Sequence, residues 1–142
     1  LDLTLALSWF RENAHRFAGE LLWDEPLSKH TYYRIGGPAD LMVLPRSEED
    51  LRLVHEGCTS HSIPLWILGL GSNVLALDHG WRGVVLKLSQ LNSSIEEIPS
   101  SAHSPARIRV GSSVSVTRLL RQAGKSGWAG FERLAGVPGS VG

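Results

Sequence analysis

The chain has 142 residues, 42% hydrophobic and 20% charged, which is enough for one domain with a real core but not for two large ones. Fourteen basic and fourteen acidic residues cancel, so the chain lacks the electrostatic footprint of a nucleic-acid or anionic-membrane binder. A single cysteine, Cys58, excludes an internal disulfide framework, and no run of about 18 apolar residues is present to span a bilayer.

The opening Leu1-Asp2-Leu3-Thr4-Leu5-Ala6-Leu7 has neither the basic start nor the cleavage pattern of a signal peptide, which makes the cytoplasm the expected compartment. The chain does not begin with Met, and it closes on Gly139-Ser140-Val141-Gly142, so a truncation at that end is expected. Leu3, Leu7, Phe10, Ala14, Phe17 and Leu21 recur at spacings of four and three, predicting an amphipathic helix over 4–20. Residues 1–27 are therefore expected to be a helix with a connector, and residues 28–142 the main domain.

Thr31-Tyr32-Tyr33-Arg34-Ile35 is β-prone, Gly36-Gly37-Pro38 is a turn, and 39–44 is a short apolar run closed by Pro45. Ser47, followed by Glu48, Glu49 and Asp50, is a helix start with three carboxylates at the positive end of the dipole. Leu51, Val54 and Cys58 form the apolar face of that helix, which should fray near Ser60. Leu65-Trp66-Ile67-Leu68 after Pro64 reads as a strand buried on both faces, completing a βαβ unit with a parallel pair. Val74–Leu77 reads as strand-like, and further strands are expected at 83–88, 94–98 and 107–111, with a polar loop over 99–105. A helix over 114–122 is ended by Gly124 and Gly127.

Two glycine loops carry the chemistry. Gly69, Leu70, Gly71, Ser72 and Asn73 follow a buried strand, where backbone N–H groups can meet a phosphate and the Ser and Asn side chains add neutral donors. A dinucleotide fold of the G-x-G-x-x-G type is rejected, because Val74 stands at the third glycine and Ser89 at the acidic ribose ligand. The second loop, Gly136, Val137, Pro138, Gly139, Ser140, Val141 and Gly142, has a stiff, irregular backbone suited to a phosphate or a planar ring.

In order, the chain shows Tyr33-Arg34-Ile35-Gly36-Gly37-Pro38-Ala39-Asp40, then Ile63-Pro64 with Gly69-x-Gly71-Ser72-Asn73, then Arg82-Gly83-Val84-Val85. Gly130-Phe131-Glu132 and the closing run from Ala135 to Gly142 follow. This series resembles the amino-terminal part of the UDP-N-acetylenolpyruvoylglucosamine reductases (UDP-N-acetylmuramate dehydrogenases) over about residues 28–142. The resemblance implies an α+β FAD-binding domain of the p-cresol methylhydroxylase type, a small βαβ subdomain plus a second small mixed or antiparallel sheet with helices. It implies FAD as cofactor, with 69–73 on the pyrophosphate and 136–142 lining the pyrophosphate and flavin. In the complete enzyme it implies NADPH as hydride donor and a UDP-sugar as substrate. The family's catalytic serine, glutamate and arginine would lie beyond Gly142, so no catalytic residue is assigned here. The alternatives are another FAD-dependent oxidoreductase on the same scaffold or a non-catalytic nucleotide-binding module.

His55, Cys58 and His61 are set aside as metal ligands, because i and i+6 on a helix diverge. Arg118, Arg121 and Lys125 are expected on a solvated helix face. The five tryptophans are expected in the core or at contacts between subdomains.

Overall fold

The computed structural model describes residues 3–99, 105 and 107–142. Helix α1 (Leu3–Glu12) leads through a short 3-10 turn (Ala14–Arg16) into β1 (Glu20–Pro26). Next come β2 (Pro38–Leu44), α2 (Glu48–Ser60), β3 (Leu65–Leu68), β4 (Trp81–Lys87), β5 (Ile95–Ile98), β6 (Arg107–Val110) and α3 (Val116–Ser126). The first four strands form one mixed sheet in the order β1-β2-β4-β3, and β5 pairs with β6 as an antiparallel ribbon. This is the expected α+β architecture of two small sheets with helices. Most of the 99–105 loop lies outside the described residues. None of the helices among the described residues is long and apolar enough to cross a membrane.

The sheet is covered on both faces. Towards the helices, Leu41 and Val43 of β2 and Val84 and Leu86 of β4 pack with Leu7, Phe10, Val54, Cys58 and Ile63. On the other face, Met42, Leu44, Leu68 and Val85 pack with Leu27, Ala39 and Ala76, the last two of these from loops and strand ends. The period of two along β2 and β4 thus feeds two separate cores.

Several expectations need correction. The first helix ends at Glu12 rather than near residue 20, and its carboxyl-terminal part is replaced by β1, which pairs antiparallel with β2. Leu21 and Trp23 pack on the helix-side core while Leu22 packs on the opposite one. Two-residue alternation therefore wins over the helical spacing that reached Leu21. Thr31–Ile35 is no strand: the Thr31 hydroxyl donates to the Ile35 carbonyl at 2.9 Å, and Arg34 sits at φ 55°. Val74–Leu77 is also irregular, and its Leu77 carbonyl accepts from Gly37 and Gly80 N–H, each at 2.9 Å. β2 and β3 run parallel as a βαβ unit requires, but β4 lies between them and pairs with both. That leaves β3 at an edge, with Ile67 56% exposed rather than buried.

Elsewhere local signals are obeyed. Ser47 and Asp50 form a reciprocal capping box at the start of α2, and the helix ends at Ser60. Gly127 closes α3 in the left-handed conformation at φ 69°, but Gly124 lies inside that helix, which runs over Val116–Ser126 rather than 114–122. The α1–α2 contact depends on a small residue: a Cβ on Gly57 would lie 2.6 Å from two ring carbons of Trp9 and 2.9 Å from Phe10. Ala has the better helix propensity by about 1 kcal/mol, but overpacking costs about 1–3 kcal/mol. Gly57→Ala is therefore expected to destabilise the fold by about 1 kcal/mol, read as a lower urea midpoint. A midpoint at or above wild type would show that the Trp9 ring yields freely.

Candidate functional site

Residues 69–73 leave β3 at its carboxyl end, where Leu68 is paired with Lys87, the last residue of β4. Open α/β sheets bind ligands at this end of parallel strands. Gly71 is buried with φ 69°, and its carbonyl accepts from Tyr32 N–H at 2.9 Å, which docks the loop onto residues 30–32. The N–H groups of Leu70, Gly71, Ser72 and Asn73 find no acceptor among the described residues. They are available to an anion.

The closing loop is brought to the same place by backbone pairing. Val116 N–H donates to Gly139 O at 3.0 Å, Val141 N–H to Val114 O at 2.9 Å, and Gly142 N–H to Ser112 O at 2.9 Å. Seated there, a Cβ on Gly69 would lie 2.6 Å from Gly142 O and 2.9 Å from Ser140 Oγ, and one on Gly139 would lie 3.2 Å from Ser72 Oγ. Gly69, Ser72, Gly139, Ser140 and Gly142, predicted from loops 67 or more positions apart for the outer pairs, thus meet in space. Gly136, Val137 and Pro138 are exposed beside this contact rather than in it, and a Cβ on Gly136 would touch nothing. Leu70 and Val141 are 43% and 47% exposed.

One group at this junction was not foreseen. Lys87 is only 9% exposed, and its Nζ donates to Gly69 O at 3.4 Å. Burial holds its ammonium below the usual lysine range. In the sequence it lies within the strand expected at 83–88, where nothing singles it out.

A family model described as FAD binding domain matches residues 39–142. The chain belongs to this FAD-binding domain family. It is 37% identical over 132 residues to the UDP-N-acetylenolpyruvoylglucosamine reductase of Bacillus velezensis, covering 93% of this chain and 42% of that protein. It is 40% identical over 124 residues to the enzyme of the same name from Caulobacter vibrioides, covering 87% of this chain and 39% of the relative. The chain thus spans about two fifths of the length of these curated relatives. Among solved structures, it is similar to UDP-N-acetylenolpyruvylglucosamine reductase from Thermus caldophilus, with a TM-score of 0.61 and 26% identity over 87% of this chain and 40% of the other. A solvent-stable cholesterol oxidase shares the fold at a TM-score of 0.56 and 16% identity, over 77% of this chain and 20% of the other. The FAD-binding domain therefore has the p-cresol methylhydroxylase-type architecture that the sequence implied.

The residues present fit a diphosphate-bearing cofactor. Glycines let the two loops approach at backbone distance, and the N–H groups of 70–73 beside that contact have no acceptor among the described residues. The Ser112 hydroxyl, next to Gly142, is buried without a partner among the described residues. Other motif residues of the FAD-binding domain hold the frame. The β2–β4 register slips between Ala39 and Leu41, and Asp40 spans the irregularity by accepting from Gly83 N–H and from Arg82 Nη1, each at 2.9 Å. The Glu132 carboxylate accepts from Gly130 N–H at 2.9 and 3.0 Å, turning the chain before the closing loop. No three His, Cys, Asp or Glu side chains gather as a metal site among the described residues. Cys58 lies in the helix-side core, where burial pushes its thiol up to about 12, far from a reactive thiolate.

Proposed function

We propose that this chain is the flavin-binding part of an NADPH-dependent reductase that converts UDP-N-acetylglucosamine enolpyruvate to UDP-N-acetylmuramate in peptidoglycan precursor synthesis. The observation that supports this reading most is the close packing of residues 69–73 against residues 139–142 at their glycines, in a chain of the FAD-binding domain family. A fold shared with cholesterol oxidase does not choose a substrate. The reductase name comes from relatives 37–40% identical over most of this chain.

On this reading, the N–H groups of 70–73 and the Ser72 hydroxyl hold the pyrophosphate of FAD, and Ser140, whose hydroxyl donates to Gly142 O at 2.7 Å, shapes the loop beside them. Residues 136–138, exposed next to this contact, line the flavin side. FAD bound there supplies two-electron redox chemistry. The cofactor domain comprises residues 28–142 together with β1 and α1, which complete its sheet and core, while the proton donor and the UDP-sugar contacts lie beyond Gly142. The reaction belongs to the cytoplasm, with NADPH as hydride source.

Two measurements test the reading. Reconstituted protein is expected to hold one FAD per chain, seen as a flavin absorption spectrum that survives gel filtration. The 142 residues alone are expected to show no NADPH oxidation dependent on UDP-N-acetylglucosamine enolpyruvate. Orientation of substrate against the flavin contributes about 7–11 kcal/mol to such a barrier, and the groups that orient it are assigned elsewhere. Substrate-dependent turnover at even a percent of a complete reductase would place the acid within residues 1–142 and end the division into cofactor and catalytic parts.

A further inference from the structure

Lys87 has no role in the reading above, yet its setting is unusual for a lysine. Lysines are almost never fully buried unless paired. Here the side chain is 9% exposed and forms no ion pair among the described residues. Its ammonium has three donors, and the only acceptor found among the described residues is Gly69 O, at the long distance of 3.4 Å. An unpaired buried charge is costly, and burial accordingly lowers the affinity of Nζ for its proton. The fold places this cost at one point, the carboxyl end of β4, against the first residue of the glycine loop.

The other cations near the site are already engaged or turned to solvent. Lys29 pairs with Glu25 at 3.4 Å, and Arg34 is exposed. Neither glycine loop contains a charged residue of its own. A diphosphate on residues 69–73 would thus meet neutral donors in front and a single buried ammonium behind. In that position the charge acts through a medium of low dielectric and is poorly screened by salt.

We propose that the Lys87 ammonium is the counter-charge of the diphosphate-bearing ligand seated on residues 69–73. The proposal rests on the FAD reading of that loop and adds a specific electrostatic partner to it. Lys87 belongs to the binding site as a positioned charge and takes no part in hydride or proton transfer. Its bond to Gly69 O holds the ammonium at the loop while the site is empty. The bound diphosphate gives it the opposite charge that the protein withholds.

The test uses Lys87→Met, which keeps length and apolar stem without the charge, and Lys87→Gln, which keeps a donor for Gly69 O. Both are made in the full chain, and FAD is titrated into apoprotein by quenching of flavin fluorescence at several salt concentrations. Both variants are expected to raise the FAD dissociation constant by on the order of 10–100-fold, in line with loss of a charge-assisted contact. The affinity gap between wild type and the variants should persist as salt is raised, because the buried ammonium is poorly screened. Apoprotein melting temperatures should be equal to or above wild type, because a desolvated charge has been removed.

Retention of wild-type affinity by Lys87→Gln would assign the lysine to holding Gly69 O alone and overturn the proposal. So would a lower apoprotein melting temperature in both variants, or an affinity gap that closed as salt was raised. If the wild-type chain itself bound no FAD, the cofactor reading would fall first and this one with it. If wild type bound FAD and both variants matched it, only the role of Lys87 would fall.

Discussion

Gly71→Val is expected to raise the FAD dissociation constant by on the order of 100-fold while the helix-side core stays folded. Gly71 sits at φ 69°, a region that costs an L-residue about 1–2 kcal/mol. A Cβ there would also run into the carbonyl oxygen of His30 and lie 3.1 Å from Thr31 Cα. The new side chain also stands where the loop's amides would meet phosphate. The structure adds a collision with the protein itself, which must pull residues 69–73 away from residues 30–32 and break the 2.9 Å bond from Tyr32 N–H. Displacement and strain of about 3 kcal/mol correspond to the stated loss of affinity. The measurement is flavin content per chain after purification, with far-UV circular dichroism on the same sample. A full complement of flavin would remove this loop from the cofactor site. Gly124→Ala is the control, since nothing lies within 4 Å of its added Cβ.

The largest stability effect is expected at Asp50, whose side chain is 1% exposed. Its carboxylate accepts from Arg46 N–H at 2.8 Å, Ala18 N–H at 2.9 Å and Ser47 N–H at 3.2 Å. One group thus caps α2 and ties it to the approach of β1. Asp50→Ala leaves three partly buried donors without an acceptor, and hydrogen bonds to charged groups contribute about 1.5–3 kcal/mol each in net terms. Allowing for water reaching some of them, a loss of about 3–4 kcal/mol is expected from chemical denaturation. Burial works to raise this carboxyl's pKa, but the donated hydrogen bonds lower it further, so the net shift is below the ordinary value. The sign follows. Asp50 contributes its full stabilisation above the unfolded carboxylate range, near pH 4, and loses it as pH falls through the lower folded value. The stability gap between wild type and Asp50→Ala should therefore be constant near neutral pH and close below about pH 4. A gap that persisted at pH 2 would mean that the carboxylate is not the stabilising species.

The legible parts of the fold were those with local signals. Ser47 with Asp50 announced α2, and Gly127 marked the end of α3. The site was legible as two separate loops, because glycines next to an apolar run are visible in one dimension. Their contact was not, since Gly69 meets Gly142 only through the pairing of residues 139–142 with 112–116. β1 was hidden because Leu21 happens to lie four positions after Phe17, and only the partner strand β2 selects the extended form. The edge position of β3 could not be seen in an apolar tetrapeptide, which reads alike at an edge or in the middle. Lys87 was missed for a related reason: nothing in its neighbours reveals that a loop closes over it.

The insertion of β4 between β2 and β3 also constrains how the protein assembles during synthesis. Among the described residues, β3 has no partner in its sheet other than β4. A nascent chain that has emerged only through residue 80 can pair β1 with β2 and cap α2, but β3 then has no strand to bind. The last strand of the sheet to appear is thus the one that joins its two halves. Edge and centre should exchange their amide protons as one unit, because opening β4 releases β3 as well. The glycine loop after β3 hangs from that joint, so a cofactor gripping residues 69–73 would slow exchange along β4, a strand whose middle it does not touch.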